Sequence, residues 1–173
     1  MAERLRYAFG QSALGDFIAA VSDHGLVAFE FADARKNAES ALRARFPEAT
    51  VHEEPAALAD IVQKLGALVD HPASDPGLIL DMRGSDFEKR VWTLLRQIPA
   101  GMTTTYGAIA AAVGSPKDAR DTTAAIAANT IAILIPCHRV IKKDGSLSGY
   151  RWGFKRKREL LSREQSQQAF ELA

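Results

Sequence analysis

Charge is not spread evenly along this chain. Residues 1–81 hold 7 Lys and Arg against 13 Asp and Glu, a net of −6, while residues 82–173 hold 15 against 8, a net of +7. The period of the apolar residues changes at nearly the same place, so any fold must accommodate an acidic part and a basic part of different construction. The predicted domains are 1–84 and 85–173, with the boundary near Gly84. A length of 173 residues suits one ordinary domain or two small ones. An acidic part joined to a basic one fits a protein whose second part meets a polyanion, and equally a basic face that is merely solvated.

The first part reads as hairpins followed by helices. Arg6–Ser12, Asp16–Ser22 and Leu26–Ala32 are short apolar or alternating runs, punctuated as turns by Gly15 and Asp23-His24-Gly25. Residues 34–46 and 55–69 carry apolar side chains at helical spacing, among them Leu58, Ile61, Leu65 and Leu68. Residues 78–82 read as a further strand. No chemistry is evident in this part. His24, His52 and His71 show no ligand pattern, and no metal site is expected.

In the second part Ser85 is a candidate N-cap, and Glu88 three residues on completes a capping box. Phe87, Val91, Leu94 and Leu95 give one helix face ending near Ile98, before the breaker Pro99-Ala100-Gly101. Residues 105–113 and 117–128 are predicted helices joined by a tight turn at Gly114-Ser115-Pro116. That is the outline of a helix–turn–helix, although helical hairpins also occur in many unrelated folds. The second of these helices is clothed largely in alanine and carries Arg120. Such a helix can approach a nucleic-acid groove closely, or can pack tightly in a core. Residues 131–135 read as a buried apolar strand, and residues 154 to about 168 as a last amphipathic helix, very basic at its start.

The chain has one cysteine, Cys137, which excludes an internal disulfide and a cysteine-rich zinc site. Its neighbours are His138 and Arg139. A free thiol, with a pKa of about 8.5, is a poor nucleophile until a base or a positive charge activates it. His138 and Arg139 can supply both, and Glu164 is a candidate to orient the histidine. On spacing alone a structural cysteine is the favoured reading. Met1–Leu5 carry charges without an apolar stretch, and no apolar run reaches membrane length, so a cytoplasmic protein with no membrane partner is expected.

The segment Pro136-Cys137-His138-Arg139-Val140 resembles the active-site signature of the O6-alkylguanine-DNA alkyltransferases. The resemblance continues in order and spacing through Phe87–Trp92, Ile98-Pro99, Gly101, Thr105-Tyr106-Gly107, Gly114–Lys117, Arg120, Asn129, Gly145, Gly149-Tyr150, Gly153 and Leu160-Leu161. It is close over about residues 84–165 and loose before them. Ser148–Gly153 looks most like the C-terminal domain of the bacterial adaptive-response proteins.

This resemblance implies a small ribonuclease-H-like α/β N-terminal domain, with an antiparallel sheet and helices. It implies a mostly α C-terminal domain with a winged-helix-like helix–turn–helix. The expected partner is double-stranded DNA containing O6-alkylguanine, with O4-alkylthymine a further candidate substrate, and the protein is expected to be a monomer. The lesion would be flipped out of the duplex into a pocket, with Arg120 filling the space it leaves and the alanine helix lying in the minor groove. Thr105, Lys117, Ala119 and Ala124 would share the DNA contact. Cys137 would accept the alkyl group once and irreversibly. His138 would take its proton through a water, Glu164 would hold His138, and Tyr106 would relieve charge on the leaving guanine. Asn129 would tie the recognition helix to the active-site turn. Val140, Arg151, Trp152 and Gly153 would bind the substrate, and Trp152 is expected to narrow the pocket in favour of methyl over benzyl. The transfer needs no metal or organic cofactor. Asp121 departs from the small apolar residue usual after the arginine and places a negative charge beside Arg120. The rival readings are a sensor of alkylated bases that transfers nothing, an adaptive-response transcriptional regulator, and an unrelated cysteine hydrolase.

Overall fold

The computed structural model describes residues 2–114 and 119–172, with side chains described through Gln165. The chain forms two compact units, residues 1–70 with 74–82, and residues 71–73 with 83–173.

The first unit is built on strands β1 (Arg4–Ser12), β2 (Gly15–Val21) and β3 (Leu26–Phe31). β1 and β2 form a hairpin closed at Ser12–Gly15, where Gly15 has φ 117° and the Ser12 hydroxyl bonds the Gly15 carbonyl at 2.6 Å. A helix α1 (Arg35–Arg45) follows, then β4 (Thr50–Glu53) and a second helix α2 (Ala59–Asp70). The sheet order is β3-β2-β1-β4. The first three strands are antiparallel, but β4 pairs parallel to β1, with Leu5 opposite Val51. The sheet is therefore mixed rather than antiparallel as expected. β4 is short and carries His52 and Glu53, so it lacks the apolar alternation by which a strand is read from sequence.

Alternation sends Leu5 and Tyr7 to one face with Ile18, Ala20 and Ala28. Leu42 of α1 is buried in that cluster, and Ala38 packs against it. The other face meets α2. A Cβ on Gly10 would lie 2.3 Å from Phe17 Cζ and 2.7 Å from Val62 Cγ1, so only glycine lets the helix approach this closely. Residues 78–82 do not make a full strand: a single bridge joins Leu80 to Leu26.

The second unit packs three helices, α3 (Asp86–Leu95), α4 (Tyr106–Val113) and α5 (Ala119–Ala127). The capping box on α3 is formed as read: the Ser85 hydroxyl accepts from Glu88 N at 3.1 Å, and Ser85 N donates to the Glu88 carboxylate at 2.8 Å. Val91, Trp92 and Leu95 are the buried face of α3. Trp92 donates its indole N–H to the Ala125 carbonyl at 2.8 Å and so fastens α3 to α5. α4 is capped by Thr105, whose hydroxyl accepts from Ala108 N at 3.1 Å, and ends at Gly114 in the left-handed region, φ 64°. A short parallel pair, β5 (Thr104–Thr105) with β6 (Val140–Ile141), links the start of α4 to the segment after Cys137. The long helix α6 (Phe154–Leu172) closes the unit. Among the described residues no helix is long and apolar enough to cross a membrane.

Residues 131–135 are not a strand but a buried series of turns, in which Ile133 has φ 66°. A β-branched residue in that region is strained, at a cost of order 1–3 kcal/mol. Asn129 supplies the compensation. Its side-chain N–H group donates to the carbonyls of Ile131 at 3.2 Å and Ile135 at 2.9 Å, while its oxygen accepts from Ile131 N at 2.9 Å. The amide takes backbone bonds that a neighbouring strand would otherwise have made.

Candidate active site

The turns held by Asn129 lead through Pro136 into a single 3₁₀ turn, Cys137–Arg139. All three of its side chains are buried. The turn is closed by the Val140 N–H donating to the Cys137 carbonyl. Asn129 also donates to Cys137 Sγ at 3.3 Å, so one side chain shapes the loop and touches the thiol.

His138 Nε2 lies 2.6 Å from Glu164 Oε1, and both side chains are fully buried. Arg139 grips the same carboxylate from Nε at 3.1 Å to each oxygen and from Nη2 at 2.7 Å, and it also donates to the Ile98 carbonyl at 2.7 Å. Burial works to raise the Glu164 pKa, but the hydrogen bonds from His138 and Arg139 outweigh it and leave the carboxyl below its usual range. Burial also lowers the His138 pKa, against the pull of Glu164, and keeps the ring neutral. An ionised carboxylate can only accept, so the ring proton must sit on Nε2. Nδ1 is then a bare lone pair, buried and without a protein hydrogen-bond partner. It belongs to the residue that follows Cys137 in sequence.

The thiol itself is not activated in the way the sequence suggested. Arg139 is committed to Glu164 and Ile98 rather than to Cys137. Burial pushes the Cys137 thiol up to about 11, opposed by the Asn129 hydrogen bond and by the positive charges of Lys157 and Arg151.

Cys137 opens onto a cavity of about 600 Å³, lined also by Tyr106, Thr123, Ile126, Ser148, Tyr150 and Arg151 among others. Of the four residues expected to bind substrate, Arg151 lines it. Trp152 is buried and packs edge-on against Tyr150, ring centroids 5.1 Å apart, and does not form the wall, so the narrowing expected of it has no place there. Val140 is fully buried beside the 3₁₀ turn, and Gly153 is exposed with φ 102°. Neither lines the cavity.

On α5, Thr122, Ala125 and Ile126 face inward. Arg120, Thr123, Ala124 and Ala127 are exposed, at the spacing that makes one stripe, and Ala119 is exposed at the start of the helix. Thr105 is half-buried as the cap of α4. Lys117 lies outside the described residues.

Two residues escaped the sequence reading. Lys157, fully buried, donates to Ser148 Oγ at 2.8 Å and to the Gly149 carbonyl at 3.4 Å, and Ser148 in turn hydrogen-bonds the Tyr106 hydroxyl. Lys157 sits in the run Lys155–Arg158, which reads as a solvated basic face. Its helical phase held the signal: residues 157, 160 and 164 share one face of α6, and all three are fully buried. Among the described residues no group of His, Cys, Asp or Glu is arranged to hold a metal ion.

A family profile described as 6-O-methylguanine DNA methyltransferase, DNA binding domain, matches residues 86–166. The chain is 41% identical over 160 residues to the Escherichia coli bifunctional transcriptional activator/DNA repair enzyme Ada, covering 92% of this chain and 45% of that protein. It therefore spans less than half the length of that relative. It is 46% identical over 112 residues to the methylated-DNA–protein-cysteine methyltransferase of Mycolicibacterium paratuberculosis, covering 65% of this chain and 68% of the relative. The crystal structure of Mycobacterium tuberculosis O6-methylguanine methyltransferase superposes with a TM-score of 0.74 at 33% identity, over 94% of this chain and 93% of that one. The structure titled Mycobacterium tuberculosis OGT in complex with DNA gives 0.75 at 34%, with the same coverage. With the buried Cys137–His138–Glu164 arrangement, these likenesses show that the chain belongs to the methylated-DNA–protein-cysteine methyltransferase family.

Proposed function

We propose that this protein repairs DNA directly, taking the alkyl group from O6-alkylguanine (and from O4-alkylthymine) in duplex DNA onto Cys137, one group per molecule. The observation that carries the reading is the unpartnered Nδ1 of a neutral, carboxylate-anchored His138, next to the chain's sole cysteine at the wall of a cavity.

A thiol near 11 is almost wholly protonated at neutral pH, so the proton must leave as the sulfur attacks. His138 Nδ1 accepts it, through a water, and Glu164 stabilises the imidazolium that forms. The sulfur displaces the guanine oxygen from the alkyl carbon in line. The C–O bond breaks, a thioether forms, and the guanine takes a proton in place of its alkyl group. Tyr106, at the cavity wall, is the donor to the departing base, relieving charge where it develops. The backbone at Cys137, which lines the cavity, reads the guanine edge. A thioether is not reversed by simple hydrolysis, so each molecule is consumed.

DNA docks through the exposed stripe of α5, in a winged-helix-like arrangement of α4 and α5. Small side chains at Ala119, Thr123, Ala124 and Ala127 allow close approach to the minor groove, and Arg120 enters the stack as the lesion leaves it. Thr105 and Lys117 bind the backbone, Arg151 stands at the pocket rim, and the protein works as a monomer. The similar Mycobacterium tuberculosis OGT, solved in complex with DNA, supports DNA as the partner. The arrangement around Cys137 leaves a sensor that transfers nothing without support.

The test is titration of protein into a fixed amount of duplex carrying one O6-methylguanine, with the surviving lesion counted by chromatography after digestion. The lesion is expected to disappear in one-to-one proportion to added protein. Loss of several lesions per protein, or none, would refute a single-use acceptor.

A further inference from the structure

We propose that Lys157 acts through Ser148 on the Tyr106 hydroxyl, setting the direction in which its hydrogen points and replacing the proton it gives to the departing base. The proposal rests on the alkyl-acceptor reading above.

Lys157 is fully buried, and among the described residues no carboxylate pairs with it. Its partners are the Ser148 hydroxyl, the Gly149 carbonyl and the face of the Tyr106 ring, 5.9 Å from Nζ. Burying an ammonium on neutral partners is costly, and a methionine would fill the same space without that cost. What an ammonium has and a methionine lacks is a fixed polarity: it donates and never accepts.

That polarity passes along the chain. While Lys157 donates to Ser148 Oγ, the serine's own hydrogen is free to go to the Tyr106 oxygen. The Tyr106 hydrogen is then left for the cavity that Tyr106 lines. If Lys157 loses its proton, the neutral amine becomes an acceptor. Ser148 then turns toward it, Tyr106 turns toward Ser148, and no donor faces the base. The same path carries a proton. As the carbon–oxygen bond breaks, Tyr106 gives its hydrogen to the guanine, Ser148 restores Tyr106, and Lys157 restores Ser148. The lysine ends as a neutral amine, while the thiol proton rests on His138.

Burial lowers the Lys157 pKa to about 8, opposed by the Cys137 side chain, so the amine is poised to switch at mildly alkaline pH. The titratable groups that face it are Cys137 and His138 from the 3₁₀ turn and Tyr106 from α4. The loop after β6 contributes Ser148 and Gly149, and Arg151 on that loop acts on Cys137. Along α6 itself, Arg156 donates to the Trp152 carbonyl, and Glu164 is taken by His138 and Arg139.

The experiment is single-turnover methyl transfer from an O6-methylguanine duplex, followed from below neutrality to well above pH 8. It compares the wild type with Ser148→Ala, Ser148→Thr and Lys157→Met. The wild-type rate is expected to fall on the alkaline side as Lys157, with its pKa of about 8, deprotonates. Cys137 cannot cause that fall, because loss of its own proton makes it a better nucleophile. Ser148→Ala and Lys157→Met are expected to be about ten-fold slower or more at neutral pH and to lack the alkaline fall. Ser148→Thr, which keeps the hydroxyl, is expected to retain both rate and fall. Alkylation of Cys137 by iodoacetamide and thermal unfolding of Ser148→Ala confirm an intact site, so the serine variants decide the matter even if Lys157→Met fails to fold. A wild type that accepts methyl while Ser148→Ala matches its rate and pH profile overturns the relay alone. A wild type that accepts no methyl overturns the function and the relay together.

Discussion

Glu164 is the residue on which the site turns. It is a buried anion with two clients, the imidazole it orients and the guanidinium it neutralises. Removing one partner of a buried pair leaves the other uncompensated, at a cost of about 3–5 kcal/mol. Glu164→Gln is therefore expected to destabilise the protein by about that much in denaturant titration, because Arg139 remains buried. It is also expected to slow methyl transfer at least ten-fold, because a neutral amide no longer dictates which His138 nitrogen carries the proton. A variant as stable as the wild type would show that Arg139 finds another partner.

The same groups set the acid stability. His138 is held neutral below its ordinary pKa of 6.5, so as pH falls through that value the unfolded chain takes up a proton that the folded chain refuses. The folded pKa of Glu164 lies below its ordinary 4.5, so the stability from its pairing is full above 4.5 and is lost as pH falls beneath it. The denaturant midpoint is expected to decline from about pH 6.5 downward, more steeply below 4.5. A midpoint unchanged between neutrality and pH 4.5 would contradict the His138 assignment, and one that does not fall more steeply below 4.5 would contradict that of Glu164. At this scale the cysteine, histidine and glutamate were legible because their order matched a known signature. Arg139 was misread as a partner of the thiol, since sequence adjacency does not say which way a long side chain turns. Lys157 was hidden among its basic neighbours.

At the scale of elements, α5 carries two opposed features. Its exposed stripe suits a groove, yet Asp121 stands exposed beside Arg120. An anion there repels the phosphates, and Asp121→Ala is expected to tighten binding to undamaged duplex at fixed salt, by a few-fold for one surface charge. Equal or weaker affinity would mean that Asp121 serves to orient Arg120. The helices of this unit were legible because each carries its own punctuation: the capping box on α3, Thr105 and Gly114 at the ends of α4. Residues 131–135 were not, because their apolar run has the composition of a strand. A single upstream side chain, Asn129, takes the carbonyls that would have paired. β4 was missed for the opposite reason: its pairing with β1 is long-range, and its own sequence is polar.

For the whole molecule, the charge division and the fold division fall together. The acidic residues 1–81 lie largely in the unit built on the mixed sheet, and the basic remainder lies largely in the unit that carries Cys137. All the chemistry assigned above belongs to the second unit. In the proposed function Cys137 is the final resting place of the alkyl group. The most direct measurement is the intact mass of the protein after mixing with a duplex bearing one O6-methylguanine, followed by peptide mapping. A gain of one methyl in place of one hydrogen is expected, saturating at one per protein and located on Cys137. Tight binding with no gain in mass, or a methyl on any other residue, would contradict it.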